Sequence, residues 1–323
     1  ACFRARNIYI LTMKLPLAII LLFLSFGCVA ATYQLSEGSD LVGKLQTIGA
    51  RSEETLLDIA RKHDIGQEEI VQANPGVDRW LPGEGASVVI PSWHILPASP
   101  RTGLVLNLPE MRLYAFNHKG KAVDTYPVSV GRMDWKTPLG ESRIVRKQKD
   151  PAWYPPESVK QEAAEDGKVM PDMVPPGPDN PLGNYALRLS LPGYLIHGTN
   201  KPYGVGMRVT HGCIRLLPED IEELFGKVKT GTRVQLVNQP VKLGWDDGTL
   251  YMEVHPPLEE DQDARDNLLR YALELVYAEL DKRPAVLLGR ELHRVVRDQS
   301  GIPVAISKTS QRPAQSIRNP VFD

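Results

Sequence analysis

The chain has 323 residues, 42% of them hydrophobic and 24% charged, a composition typical of a globular protein with two or three domains. Its formal net charge is −1, and no basic stretch is interleaved with aromatic residues, which argues against nucleic acid or an anionic membrane as a partner. The 27 prolines and 26 glycines predict many turns and long loops.

The N-terminal segment has the three parts of a secretory signal peptide. Met13 and Lys14 form a positively charged start, residues 15–26 are apolar, and the small residues Ala30 and Ala31 offer a cleavage site. The apolar run is short for a membrane span. We therefore predict a signal peptide over residues 1–31, with Met13 as the natural start, and export of the remainder. An uncleaved membrane anchor is the alternative.

The predicted signal peptide determines which cysteines remain in the mature protein. Of the three cysteines, Cys2 and Cys28 would be removed with the signal peptide, so Cys213 would have no intramolecular partner. A single cysteine in an exported protein is either a buried inert thiol or a reactive one. The sequence before Cys28 also loosely resembles a lipoprotein cleavage site, so lipidation of Cys28 remains a second possibility.

Residues 32–97 are predicted to form a small α+β module. A strand over 44–48 precedes a helix with Ser52 as its N-cap, and a second helix over 68–73 ends at a strong turn signal before a closing strand over 87–91. This order resembles a LysM module, which binds the sugar backbone of peptidoglycan. The motifs that carry the resemblance are Thr55-Leu56-x-x-Ile59-Ala60, Ala73-Asn74-Pro75-Gly76 and Val89-Ile90-Pro91.

One part of the usual LysM pattern is missing. Ser52-Glu53-Glu54 stands where the Pro-Gly-Asp of that family usually precedes the Thr-Leu pair. Two interpretations therefore stay open for this module, glycan binding and a structural spacer that has lost its ligand.

Residues 98–240 read as a mainly β domain. Short strands separated by turns predict a β-sandwich or a partly closed barrel, with one helix over 217–225. The insert, residues 150–184, interrupts this pattern and is rich in proline. A loop of this length is usually either a functional lid or disordered, and Trp153 and Tyr154 favour the lid.

Residues 241–323 are predicted to form a small α/β appendage. Strands over 241–243 and 250–254 flank the turn Asp246-Asp247-Gly248, and an amphipathic helix follows over 264–280. The polar residues from about Ser307 onwards are expected to be mobile.

Two short segments carry the chemistry, His197-Gly198-Thr199-Asn200 and Thr210-His211-Gly212-Cys213-Ile214-Arg215. A thiol reacts as the thiolate, and a nearby imidazole can take its proton to form a thiolate–imidazolium pair. Both His197 and His211 are candidates for that base. The consecutive amides of His211, Gly212 and Cys213 are candidates for an oxyanion hole.

These residues and their neighbours also fit roles other than catalysis. A metal site built from His197, His211 and Cys213 lacks a fourth ligand at recognisable spacing, so we predict no metal. Arg208 and Arg215 fit either substrate carboxylate recognition or structural ion pairs. Asn200 is either a substrate contact or a hydrogen-bonded loop residue.

The two segments closely resemble the signature of the YkuD-type L,D-transpeptidase domain, His-Gly-Thr followed by Ser/Thr-His-Gly-Cys-x-Arg. Further matches extend the resemblance to roughly residues 40–260: Gly131, Thr137-Pro138-x-Gly140 and Gly177-x-x-Asn180-Pro181-x-Gly183. The resemblance implies that Cys213 is the acylated nucleophile, that His197 is its base, and that the Gly198 carbonyl orients the imidazole. His211, Gly212 and Arg215 would support the nucleophile loop, in which Thr210 replaces the commoner serine. Thr210 is also a candidate substrate contact, as are Arg215, Arg208 and Asn200.

The resemblance also implies a reaction, with no cofactor. Cys213 would attack the peptidoglycan tetrapeptide stem between its third residue, a diamino acid, and the terminal D-Ala, and an amine would then resolve the thioester. The acceptor would be a second stem peptide or a lysine of an outer-membrane lipoprotein, in the periplasm. Carbapenems would acylate the same thiol. A hydrolase with the same site and a non-catalytic wall-binding protein are the alternatives.

Overall fold

The computed structural model describes residues 31–117 and 120–308. The predicted signal peptide up to residue 30, the candidate lipidation site at Cys28 and the tail beyond residue 308 lie outside the described residues. Within them, no helix is long and apolar enough to cross a membrane.

Twenty strands and seven α-helices are present in the described ranges. The strands are β1 Ala31–Gln34, β2 Leu41–Gly43, β3 Gln46–Gly49, β4 Ser87–Ile90, β5 Trp93–Ile95, β6 Gly103–Asn107, β7 Arg112–Phe116, β8 Ala122–Pro127, β9 Val130–Gly131, β10 Gly140–Lys149, β11 Tyr185–Leu189, β12 Leu195–His197, β13 Arg208–Thr210, β14 Ile214–Arg215, β15 Arg233–Val237, β16 Val241–Asp246, β17 Thr249–Val254, β18 Val286–Leu287, β19 Val304–Ala305 and β20 Ser307–Lys308. The helices are α1 Leu56–Lys62, α2 Gln67–Ala73, α3 Glu157–Glu165, α4 Pro218–Lys227, α5 Gln262–Asp266, α6 Leu268–Lys282 and α7 Gly289–Asp298, and a 3₁₀ turn spans Pro202–Gly204.

A nine-stranded mixed sheet forms the centre of the molecule, in the order β1-β8-β7-β6-β15-β10-β11-β12-β14. The pairs β6–β15 and β12–β14 are parallel, and the other neighbours are antiparallel. One large apolar core includes residues of this sheet and of α4, among them Leu106, Ile196 and Leu224. The prediction of a mainly β fold with minor helices is confirmed. Strand β1 lies in this sheet beside β8, although the sequence analysis placed residues 32–34 in the N-terminal module.

The N-terminal unit, residues 41–96, has its own apolar core around Leu56, Ile59 and Ile70. Its first helix begins three residues later than predicted, because Thr55 and not Ser52 is the N-cap. The Thr55 hydroxyl accepts from the Asp58 amide at 3.1 Å, and the Asp58 carboxylate accepts from the Thr55 amide at 3.0 Å. This reciprocal capping box satisfies two amides that would otherwise lack partners.

The C-terminal unit, residues 241–308, packs α6 and α7 against β16 and β17. The predicted strand pair is confirmed, whereas the single predicted helix is divided at Asn267 into α5 and α6. The expectation that mobility begins at Ser307 is wrong for the first two residues. Ser307 is buried in β20, and its hydroxyl accepts from the Leu250 amide at 2.8 Å.

A buried charged network joins the three parts of the chain. Lys242 of the C-terminal unit donates to Glu110 of the central sheet at 2.8 Å and to Glu253 at 2.7 Å. The same two carboxylates and His94 form a cluster with the spacing of metal ligands. Since the Lys242 ammonium bonds to both carboxylates, it supplies the positive charge that this cluster requires.

Candidate active site

The floor of the cleft that contains Cys213 is one face of four neighbouring strands. Side chains alternate between the two faces of a strand, and residues paired across strands share a face. The pairings Gln148↔Ala186, Ala186↔His197 and His197↔Arg215 therefore define one row across β10, β11, β12 and β14. All four residues line a cleft of about 300 Å³, together with Cys213 and His211. The sheet thus brings together the two segments singled out in the sequence.

Cys213 lies in the tight loop between β13 and β14, whose shape depends on Thr210 and Gly212. The Thr210 hydroxyl donates to the Cys213 carbonyl at 2.6 Å and accepts from the Gly212 amide at 3.2 Å. Gly212 has a φ of +98°, and a Cβ at this position would lie 2.9 Å from the Tyr194 ring. A larger residue would therefore strain the loop that presents the thiol.

The loop corrects one expectation about the oxyanion hole. Its three amides were all predicted to be candidates, but the Gly212 amide is already bonded to the Thr210 hydroxyl. Thr210 thus shapes the nucleophile loop, and its hydroxyl has its partners within that loop. The amides of His211 and Cys213 are left as the candidates for binding an oxyanion.

His197 ends β12 and is buried. Its Nδ1 lies 2.6 Å from the Gly198 carbonyl oxygen. Because a carbonyl only accepts, the proton belongs on Nδ1, and Nε2 carries the free lone pair of a base. Burial and, to a smaller extent, the charge of Arg215 lower the pKa of His197 to about 4, against the opposing effect of the bond to Gly198. His197 is therefore a neutral base at physiological pH.

The Cys213 thiol is also neutral in the resting site. Burial raises its pKa, against smaller lowering effects from the Leu195 backbone and the Arg215 charge. Its Sγ lies 3.7 Å from the Gly193 carbonyl oxygen. Burial thus favours the neutral forms of both the thiol and the imidazole over the thiolate–imidazolium pair in the resting site.

His211 also lines the cleft, but its imidazole contacts the insert. Its Nε2 lies 2.5 Å from the Glu162 carboxylate on α3, and Glu162 also pairs with Arg132. These two bonds lower the pKa of Glu162. The ring of Trp135 packs edge-on to His211 with centroids 5.3 Å apart. His211 therefore holds the insert against the Cys213 loop through its bond to Glu162.

The insert forms a wall of the cleft. It contains the helix α3, a backbone bridge between Trp153 and Val174, and the side chain of Asn180, which donates to the Pro151 carbonyl at 2.8 Å. Trp153, Tyr154 and Val159 line the cleft beside the sheet floor. The insert is therefore a folded element beside Cys213, held to the loop that carries Cys213 through Glu162 and His211.

The structure places the predicted substrate contacts Arg215, Arg208 and Asn200 in different parts of the molecule. Arg215 lines the cleft, and among the described residues no carboxylate lies within 4 Å of its guanidinium. Arg208 lies outside the cleft lining, where it donates to the Gly131 carbonyl at 3.1 Å and pairs with Glu260 at 3.0 Å. Asn200 lies in a separate hollow and donates to the Asp179 carbonyl at 3.2 Å. Arg208 is therefore observed in an ion pair, and Asn200 as a hydrogen-bonded loop residue.

Sequence reasoning missed several residues at the cleft. Glu162 and Trp135 contact His211 although they are distant in sequence, and Arg146 and Arg188 line the floor. The available signal for the two arginines was their position in or next to strand-like segments. This position becomes informative only when the register of the strands relative to His197 is known.

Comparison with known proteins agrees with this site. The profile of the YkuD family, described as the L,D-transpeptidase catalytic domain, matches residues 101–236. A probable L,D-transpeptidase ErfK/SrfK from Salmonella typhimurium is 39% identical over 88% of this chain and 94% of its own length. A probable L,D-transpeptidase YbiS from Escherichia coli is 38% identical over 86% of this chain and 92% of its own length.

The chain belongs to the YkuD family of L,D-transpeptidases. It is therefore an enzyme of the acyltransferase class that acts on peptidoglycan, and the matched region contains the His197 and Cys213 segments. Both relatives also match through the N-terminal and C-terminal units, because the aligned part extends well beyond the catalytic domain.

Proposed function

We propose that Cys213 is the nucleophile and His197 the general base of this L,D-transpeptidase. The observation that carries the proposal is the bond from His197 Nδ1 to the Gly198 carbonyl, in a cleft that Cys213 also lines. This bond leaves Nε2 as the acceptor for a thiol proton. The low pKa of His197 ensures that the acceptor is unprotonated before the substrate binds.

The acylation step follows from this arrangement. Nε2 takes the thiol proton as sulfur attacks the carbonyl between the third residue and the terminal D-Ala of a tetrapeptide stem. The amides of His211 and Cys213 stabilise the oxyanion. The imidazolium, held by the Gly198 carbonyl, then protonates the leaving D-Ala amine, and a thioester remains on Cys213.

The second step transfers the acyl group to an amine. His197 accepts a proton from that amine as it attacks the thioester, and the thiol is regenerated. The acceptor is an amine of a second stem peptide or a lysine of an outer-membrane lipoprotein. Hydrolysis is the competing outcome, and the insert beside Cys213 supports transfer because it restricts the access of water.

A location in the periplasm suits this substrate and the signal-peptide pattern at residues 1–31. The N-terminal unit has the strand–helix–helix–strand order of a LysM module, through β3, α1, α2 and β4. We infer that it contacts the glycan strand while the cleft takes the stem peptide. The spacer interpretation predicts no binding of glycan to this unit.

Two measurements test the proposal. Intact-mass analysis after incubation with a carbapenem should show one adduct on the wild-type protein and none on Cys213→Ala. Labelled tetrapeptide stems, with and without a lipoprotein peptide ending in lysine, should then give amide-linked products that identify the acceptor. An adduct that persists in Cys213→Ala would overturn the nucleophile assignment, and tripeptide as the only product would show a hydrolase.

A further inference from the structure

The cleft is strongly basic although the chain as a whole has a net charge of −1. Three arginines line it, Arg146, Arg188 and Arg215, and no aspartate or glutamate is among the described residues of its lining. A concave site with charges of one sign concentrates ligands of the opposite sign. The cleft is therefore suited to a substrate that carries carboxylates.

Arg146 and Arg188 are paired directly across β10 and β11, so their side chains share a face. Both are exposed, and neither has a carboxylate within 4 Å among the described residues. Like charges in directly opposed positions destabilise a sheet. An anion bound between the two guanidinium groups would remove this repulsion and would receive charge-assisted hydrogen bonds from both.

Other basic residues of β10 have partners in the protein. Lys147 points to the opposite face and donates to the carbonyls of Phe225 and Val228 at 2.5 and 2.8 Å. Arg143 lies at 3.4 Å from the Gly231 carbonyl. Of the two arginines of β10, Arg146 is thus the one that faces the cleft, and it has no carboxylate partner among the described residues.

The position of the pair limits which substrate group it reaches. Arg188 is opposite Leu195, two residues before His197 on β12, and two residues of a strand span about 6.8 Å. Arg215 is in the same row as His197, nearest to the scissile bond. The carboxylate of the terminal D-Ala is only a few bonds from the scissile carbonyl, so it suits Arg215. A carboxylate bound by Arg146 and Arg188 lies farther along the stem.

We propose that Arg146 and Arg188 form a subsite for a carboxylate of the donor stem peptide, set back from the scissile bond. That carboxylate belongs to the second residue or to the side chain of the third. The subsite deepens the proposed function and rests on it. It makes the enzyme selective for stems in which this carboxylate is free, because an amide carries no charge and offers only one acceptor oxygen.

The test uses a double variant that carries both Arg146→Gln and Arg188→Gln. The control variant carries both Lys149→Gln and Arg290→Gln, which remove two charges outside the cleft lining. Single-turnover release of D-Ala reports the donor step alone. Three donors are used: the free tetrapeptide, one amidated at the second residue, and one amidated at the third-residue side chain. For the free donor, we expect the concentration for half-maximal rate to rise at least about tenfold in the double variant. The control should match the wild type.

The amidated donors identify the carboxylate. For the donor whose recognised carboxylate is amidated, the concentration for half-maximal rate with the wild type should equal that of the free donor with the double variant. For this amidated donor, the double substitution should not raise the concentration further. An equal loss in the double variant with all three donors, or no loss with any, would overturn the subsite. Alkylation of Cys213 by neutral iodoacetamide should be the same in all proteins. A wild-type protein that releases no D-Ala would instead contradict the proposed function.

Discussion

The carboxyl groups of Asp64 and Asp220 meet across the contact between the N-terminal unit and helix α4. Both side chains are buried, and both oxygens of Asp64 and one of Asp220 have no protein donor. Two buried carboxyl groups in contact favour sharing one proton. Burial accordingly raises the pKa of Asp64 to about 6, against the lowering effect of Arg112, and raises that of Asp220 as well.

This pair predicts that the protein loses stability as the pH rises. The folded pKa of Asp64 is above its unfolded value of 3.8, so the stabilisation is complete below that value and is lost as the pH rises through about 6. Other charges at the pair are Glu69, Glu219 and Arg61. Asp220→Asn supplies a permanent donor, and we expect a higher Tm than the wild type at pH 8 and a smaller fall between pH 5 and 8. An exposed control, Asp281→Asn, should follow the wild type.

The protonation states of the catalytic residues give a second prediction. Since burial raises the pKa of Cys213, the rate of alkylation by iodoacetamide should still be rising above pH 9. The acid limb of kcat/KM should lie near pH 4, because kcat/KM requires neutral His197 and falls as the pH drops through its pKa. A plateau of alkylation between pH 6 and 8 would instead indicate a resting ion pair.

The two histidines should differ in their effects. His197→Ala should lower the rate of D-Ala release by at least about 100-fold, because it removes the proposed general base. His211→Ala should leave acylation less affected, since its imidazole is bonded to Glu162. The reverse ranking, measured in the same single-turnover assay, would exchange the two roles.

A further prediction concerns the insert. Replacing residues 157–170 with a short glycine-serine linker keeps the Trp153–Val174 bridge, at which the ends of the loop already meet. The fold and the alkylation of Cys213 should be retained, and the ratio of hydrolysed to transferred product should rise, because water gains access to the thioester. Glu162→Gln should shift the ratio in the same direction, and Glu165→Gln, on the same helix, should not. An unchanged ratio in the folded, shortened variant would contradict a role as a lid.

The sequence by itself was sufficient to indicate the family, and it singled out Cys213 and His197 as the candidate nucleophile and base. These depend on short contiguous segments, 197–199 and 210–215, whose side chains and glycines carry the chemistry and the loop geometry together. The same kind of local pattern locates α1, but it favours Ser52 as the cap, whereas the reciprocal bonds of Thr55 and Asp58 make Thr55 the cap.

Only the tertiary structure decided which polar residues share the cleft and which charge each one carries. Arg208 and Asn200 are close in sequence to the motifs but lie outside the cleft, whereas Arg146 and Glu162 are distant in sequence and lie at it. Strand register and the packing of the insert determine these positions, and neither is encoded in a local pattern. Burial, which also arises only on folding, favours the neutral forms of His197 and Cys213 and raises the pKa values of Asp64 and Asp220.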